Sequence, residues 1–159
     1  MPRNSSHSGS LPGQALVFLA ATATLLLMAV SLHAQPRIGG VAGVWIDHTG
    51  QGAVEITPCG PNMCGSVVWL KDPLKKSKSG RPICGAQILG DLQKRRNDTW
   101  DAGWIYNPED EERFSAEIKL ENESTLLVTG YLGIKLLGET FTWKRAPDTL
   151  ERCAGKRAI

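Results

Sequence analysis

Turn-forming residues interrupt this chain at short, regular intervals from residue 41 onward, and that spacing leaves room for strands rather than helices. VAGVWIDH stops at Thr49-Gly50-Gln51-Gly52, AVEIT at CGPNMC, and CGSVVWL at a basic loop from Lys71 to Pro82. ICGAQILGDL ends in the polar stretch Gln93 to Asp98, and TWDAGWIY ends at Asn107-Pro108-Glu109-Asp110. RFSAEIKL meets Glu121-Asn122-Glu123-Ser124, TLLVTGYL runs on through Gly133, and ETFTWKR closes the series before Pro147. These are about eight strand candidates with no amphipathic helix among them, which predicts an all-β antiparallel barrel or sandwich.

Alternation gives each strand a wet and a dry side. Phe114, Ala116, Ile118 and Leu120 share one face, and Ser115, Glu117 and Lys119 share the other. By the same period, Trp100, Ala102, Trp104 and Tyr106 fall on one face, as do Phe141 and Trp143. Closing the sheet removes its edges and gathers these faces around one interior, packed solid or holding a small ligand.

Upstream lies a different kind of segment. ALVFLAATATLLLMAVSL, Ala15 to Leu32, carries no charge, follows Arg3 and ends at His33-Ala34-Gln35. A positive start, an apolar run and a small residue before a polar break describe a secretory signal peptide over residues 1–34, cleaved after Ala34. The alternative is an uncleaved inner-membrane anchor, because a spanning helix needs about 20 apolar residues. The expected product is one periplasmic or secreted domain, Gln35 to Ile159, with a near-neutral charge balance that offers no footprint for nucleic acid.

All four cysteines, Cys59, Cys64, Cys84 and Cys153, lie in that domain, and an even count in an exported chain predicts two disulfides. Cys59 and Cys64 flank a hairpin turn, so their pairing is expected and leaves Cys84 for Cys153. Chain entropy assigns about 2 kcal/mol to the short loop and about 4 kcal/mol to the long one. Four cysteines allow three pairings, and the other two stay open. A zinc site would need histidine or further thiolate partners, and His48 is the one histidine of the domain. No metal and no cofactor are expected.

Several segments together resemble bacterial domain-of-unknown-function family 2147. They are GVWIDHTGQGAVEITPCGPNMCGSVVWL, ICGAQILGDL, WDAGWIYNPEDEERFSAEIKL and LLVTGYLGIKLLGETFTWKR, spanning Gly43 to Arg145. The most specific pieces are the paired CG turn, Trp100 to Pro108, and the GYLG and TWKR ending. The resemblance implies a small exported protein with a lipocalin-like (calycin) β-barrel and supplies no catalytic residue. One departure is the acidic Glu109-Asp110-Glu111-Glu112 in place of the family's Gly-Lys, which disfavours that turn as a site for an anionic ligand.

Candidate chemistry is sparse. His48 stands beside Asp47 before a Gly-rich turn, with no nucleophile elbow around any serine, and reads as an exposed turn residue. Asp47, Glu55, Asp101 and Glu139 are the carboxylate candidates, although spacing pairs none of them. The tryptophans Trp45, Trp69, Trp100, Trp104 and Trp143 all sit in strand candidates, where most are expected to fill the core. Trp104, Tyr106, Phe114, Tyr131, Phe141 and Trp143 are the expected lining of a pocket for a small hydrophobic or amphipathic molecule. Lys75, Lys76, Lys78 and Arg81, with Lys94, Arg95 and Arg96, form two basic loops that suit an anionic envelope surface if they converge. The leading expectation is a non-enzymatic ligand-binding barrel. Its rivals are a solid interaction module and a carboxylate-dependent hydrolase.

Overall fold

The computed structural model describes residues 40–153. The leader and its cleavage site lie outside them. Eight strands form a closed barrel in chain order: β1 (Gly43–Ile46), β2 (Gly52–Cys59), β3 (Asn62–Leu70), β4 (Gln87–Lys94), β5 (Thr99–Asn107), β6 (Glu112–Asn122), β7 (Thr125–Tyr131) and β8 (Glu139–Arg145). Each strand pairs antiparallel with the next, and β1 closes on β8 through Trp45↔Arg145 and Ile46↔Lys144. Each of the eight runs read from the sequence overlaps one of these strands.

The up-and-down order sorts the connections between two ends. The β1–β2 turn, the long loop 71–86, the β5–β6 turn and the β7–β8 loop share one end. The β2–β3, β4–β5 and β6–β7 turns share the other with the segment leading into β1. This second end is closed. Trp45, Ile56, Leu89, Leu92, Ile118, Leu126 and Val128 are the largest fully buried side chains of the core. The Trp45 indole donates to the Val41 carbonyl at 2.8 Å. Across the same ring, 4.0 Å from its centroid, lies the Arg145 guanidinium. Arg145 also donates to the carbonyls of Ala42 (3.1 Å), Gly40 (2.9 Å) and Glu123. These bonds fold the leading segment across the barrel floor.

Both expected disulfides are present, Cys59–Cys64 and Cys84–Cys153. In the hairpin Cys59 pairs with Asn62 and Cys64 with Thr57, so the short bridge crosses diagonally rather than between directly opposed residues. The long bridge fastens the loop 71–86 to the C-terminal segment, whose Cys153 amide donates to the Val68 carbonyl at 2.8 Å. Arg152 holds Glu55 through two bonds of 2.6 and 2.7 Å, seating that segment beside β2.

Candidate functional site

A cavity of about 830 Å³ opens at the end opposite the plugged floor. Val54, Val67, Ile88, Ile105, Phe114, Phe141 and Trp143 form its apolar wall, and Ile83 reaches in from the loop 71–86. Phe114 and Phe141 are half-buried and Trp143 is buried. His48 lies over the mouth, its ring stacked on Phe141 at 4.1 Å between centroids and 24° between planes. The rim is acidic: Asp47, Glu109, Asp110, Glu112 and Glu139 line it, against one lysine, Lys75. Lys75 is already paired with Glu109 at 2.7 Å.

One irregularity re-sorts the expected lining. Between Trp100↔Ile118 and Gly103↔Ala116, β5 advances one residue more than β6, a bulge at which Ala102 takes φ +59°. The Asp101 carboxylate accepts from the Ala102 amide at 2.7 Å. An extra residue reverses the alternation beyond it. Trp100 packs against the core before the bulge; after it Ile105, opposite Phe114, takes the inner face. Trp104 is therefore on the outer face, so Trp100, Trp104 and Tyr106 do not share the side that simple alternation predicts. Tyr106 borders both the cavity and the outer wall, and Tyr131 stands at the rim. The aliphatic lining from Val54, Val67, Ile88 and Ile105 carried no distinguishing signal in the sequence, because core and pocket use the same residue types.

Outside the barrel, Trp104 meets residues expected elsewhere. A recess of about 540 Å³ is bordered by Trp104, Tyr106, Arg113 and Gln87 of the sheet and by Ser77 and Arg81 of the loop 71–86. The Arg113 guanidinium lies over the Trp104 ring at 4.0 Å, and the Trp104 indole donates to Asp91 at 2.8 Å. Arg81 reaches the Tyr106 hydroxyl at 3.4 Å and the Glu111 carboxylate at 3.3 Å. Glu111 also accepts from the Ser79 amide at 3.1 Å and from its hydroxyl. The Ser79 hydroxyl bond is the main cause that holds its carboxyl down at about 2, with Ser77, the Ser79 amide and Arg81 adding to it against desolvation.

The two basic segments sit at opposite ends of the barrel. Lys75, Lys76, Lys78 and Arg81 belong to the open end; Lys94, Arg95 and Arg96 belong to the β4–β5 turn at the floor. Lys94 lies 5.5 Å from the Trp100 ring centroid, and Arg95 donates to Gln93 at 3.1 Å. Two of the acidic groups do come close on the outer wall, Asp101 and Glu117, bridged by Lys135 at 2.6 and 2.7 Å. Burial opposes the charge on Lys135, but hydrogen bonds and attraction from both carboxylates outweigh it and raise the ammonium to about 12. For Asp101 burial also opposes the charge, and the bonds from Lys135 and the Ala102 amide hold its carboxyl below the usual range. The triad anchors the single-turn 3₁₀ segment Lys135–Leu137 to the barrel. Around this anchor, Leu132, Ile134, Leu136 and Leu137 stand exposed, with Leu136 91% accessible.

The match to known families now has a structure beneath it. The bacterial family described as an uncharacterized protein conserved in bacteria (DUF2147) matches residues 43–145, which is β1 through β8. The chain belongs to family 2147. A solved structure supports the fold independently: protein HP1028 from the human pathogen Helicobacter pylori, described as belonging to the lipocalin family. It superposes with a TM-score of 0.58 at 22% identity, covering 69% of this chain and 85% of that one. At that identity the likeness concerns the fold, and this member of the family has a lipocalin-like barrel. No curated protein matches the chain at a significant level.

Proposed function

We propose that this barrel is a non-enzymatic envelope protein that takes up a small apolar or amphipathic molecule. The observation that carries the reading is the apolar cavity of about 830 Å³, open at one end and plugged at the other. That volume is in the range of small-molecule sites, and barrels of this strand number hold single small ligands. The acidic rim favours a ligand whose polar end donates hydrogen bonds or carries positive charge over one ending in a carboxylate. Two disulfides support an oxidising compartment, as the leader read from the sequence does.

The test is native mass spectrometry of exported protein purified without detergent. Extra mass that leaves on denaturation supports the reading and opens the ligand to extraction. An Ile105→Trp variant places an indole in the cavity and is expected to abolish both that mass and the uptake of a fluorescent naphthylamine dye. Bare protein that also fails to take up the dye would overturn the proposal.

A second reading has its own support in the exposed apolar loop Leu132 to Leu137. Exposed apolar clusters mark interaction surfaces, and this one is held rigid by the Lys135 anchor. In that case the loop meets another envelope protein and the cavity is incidental. An Ile134→Ser, Leu136→Ser variant, at two exposed positions that do not line the cavity, that loses a copurifying partner while retaining dye uptake would favour it.

A further inference from the structure

We propose that the outer recess between the loop 71–86 and the β4–β6 wall is a second binding site, for a carboxylate or phosphate attached to a planar group. It adjoins the barrel cavity at Tyr106 and Pro108 but is distinct from it, since Trp104 and Arg113 border the recess alone. Its recognition surface is built before any ligand arrives. Trp104 lies flat on β4 because residue 90 is glycine: a Cβ there would stand 2.3 Å from the indole. Asp91 fixes the ring in its plane through the 2.8 Å bond to the indole nitrogen. The Arg113 guanidinium then lies over the ring, 4.0 Å from its centroid.

Charge accounting gives the ligand its sign. Arg113 enters none of the ion pairs among the described residues. Arg81 arrives from a different element with its charge shared with Glu111 at 3.3 Å, and Ser77 and Gln87 add neutral hydrogen-bonding groups. No carboxylate lines the recess itself, although Asp91 and Glu111 bond two of its residues, Trp104 and Arg81, and the neighbouring cavity rim is acidic. Covering an exposed indole explains the pose of Arg113. Arg81 is placed by its pair with Glu111, which leaves Arg113 as the recess arginine without a carboxylate partner. The uncompensated Arg113 guanidinium favours an oxyanion, and the Trp104 indole beside it suits a flat group.

Phenyl phosphate is the first probe, followed by nuclear magnetic resonance of the tryptophan indole N–H signals, with Trp104→Phe identifying the relevant one. A saturable shift of the Trp104 signal is expected, with affinity falling about tenfold in Arg113→Gln, as for loss of one charge-assisted contact. Arg81→Gln is expected to weaken binding less, and Lys94→Gln, at the floor, to leave it unchanged. Arg113→Lys, which keeps the charge and loses the plane, should fall between wild type and Arg113→Gln. Absence of a saturable shift, or full affinity in both Arg113→Gln and Arg81→Gln, would overturn the site. Equal binding of inorganic phosphate would overturn the planar requirement. Loss of binding in Ile105→Trp would place the probe in the barrel cavity and overturn the proposal, whereas retention there separates the two sites.

Discussion

Glu111 shows how one side chain can couple a loop to the barrel. Sitting in the β5–β6 turn at φ +62°, it receives the Ser79 amide and hydroxyl and the Arg81 guanidinium. Its carboxyl titrates at about 2 in the fold against an ordinary 4.5, so its contribution to holding the loop is complete above about 4.5. As pH falls from there through about 2, that contribution is lost. Amide exchange at Ser79 is expected to accelerate over this window, and Glu111→Gln should remove the dependence; a carboxyl ¹³C midpoint at the ordinary value would refute it. Gly43 poses a steric case. Its φ is +127° and a Cβ would lie 2.5 Å from the Arg145 guanidinium. Gly43→Ala should cost about 1–3 kcal/mol in urea unfolding. A cost near zero would mean that Arg145 moves aside freely.

Among the elements, the loop 71–86 depends most on its fastenings. It pairs with itself at Lys76↔Pro82, joins β3 through the Val67 and Gly85 amides, and is bolted to the C-terminal segment by Cys84–Cys153. Replacing both cysteines of that bridge with serine should lower stability by about 4 kcal/mol, against about 2 kcal/mol for the Cys59–Cys64 pair. Trypsin should then cut first after Lys76 or Lys78. Equal losses from the two bridges, with no cleavage in the loop, would contradict the role assigned to the long one. The strands themselves were legible in the sequence because period-two alternation and Gly, Pro and Asn turns are local signals. The side of β5 that Trp104 occupies was not. A single inserted residue at Ala102 reverses the facing, and neither composition nor periodicity marks it. The recess escaped for a related reason: Arg81, Trp104 and Arg113 meet only once the loop is folded back on the sheet.

The whole molecule divides its interior in two. The floor is packed and sealed by Trp45 and Arg145, while the upper half keeps its space. This division predicts unequal responses to the same kind of change. Ile105→Trp fills existing volume and should leave the melting temperature near wild type while blocking dye uptake. Leu126→Ala, in the packed half, should cost about 2–5 kcal/mol and spare the dye site. Similar melting temperatures for the two variants would mean that the interior is not divided in this way.

Seven of the eight strand pairings join neighbours in the chain, and β1·β8 alone spans the length of the domain. Folding can therefore proceed through local hairpins until one slow, long-range step remains. Until that step is complete the molecule is an open sheet with two unpaired edges, open to pairing with other chains. The seam holds Trp45 opposite Arg145, the same pair that seals the floor. Weakening this contact should do more harm to the yield of soluble protein than to the stability of molecules already closed.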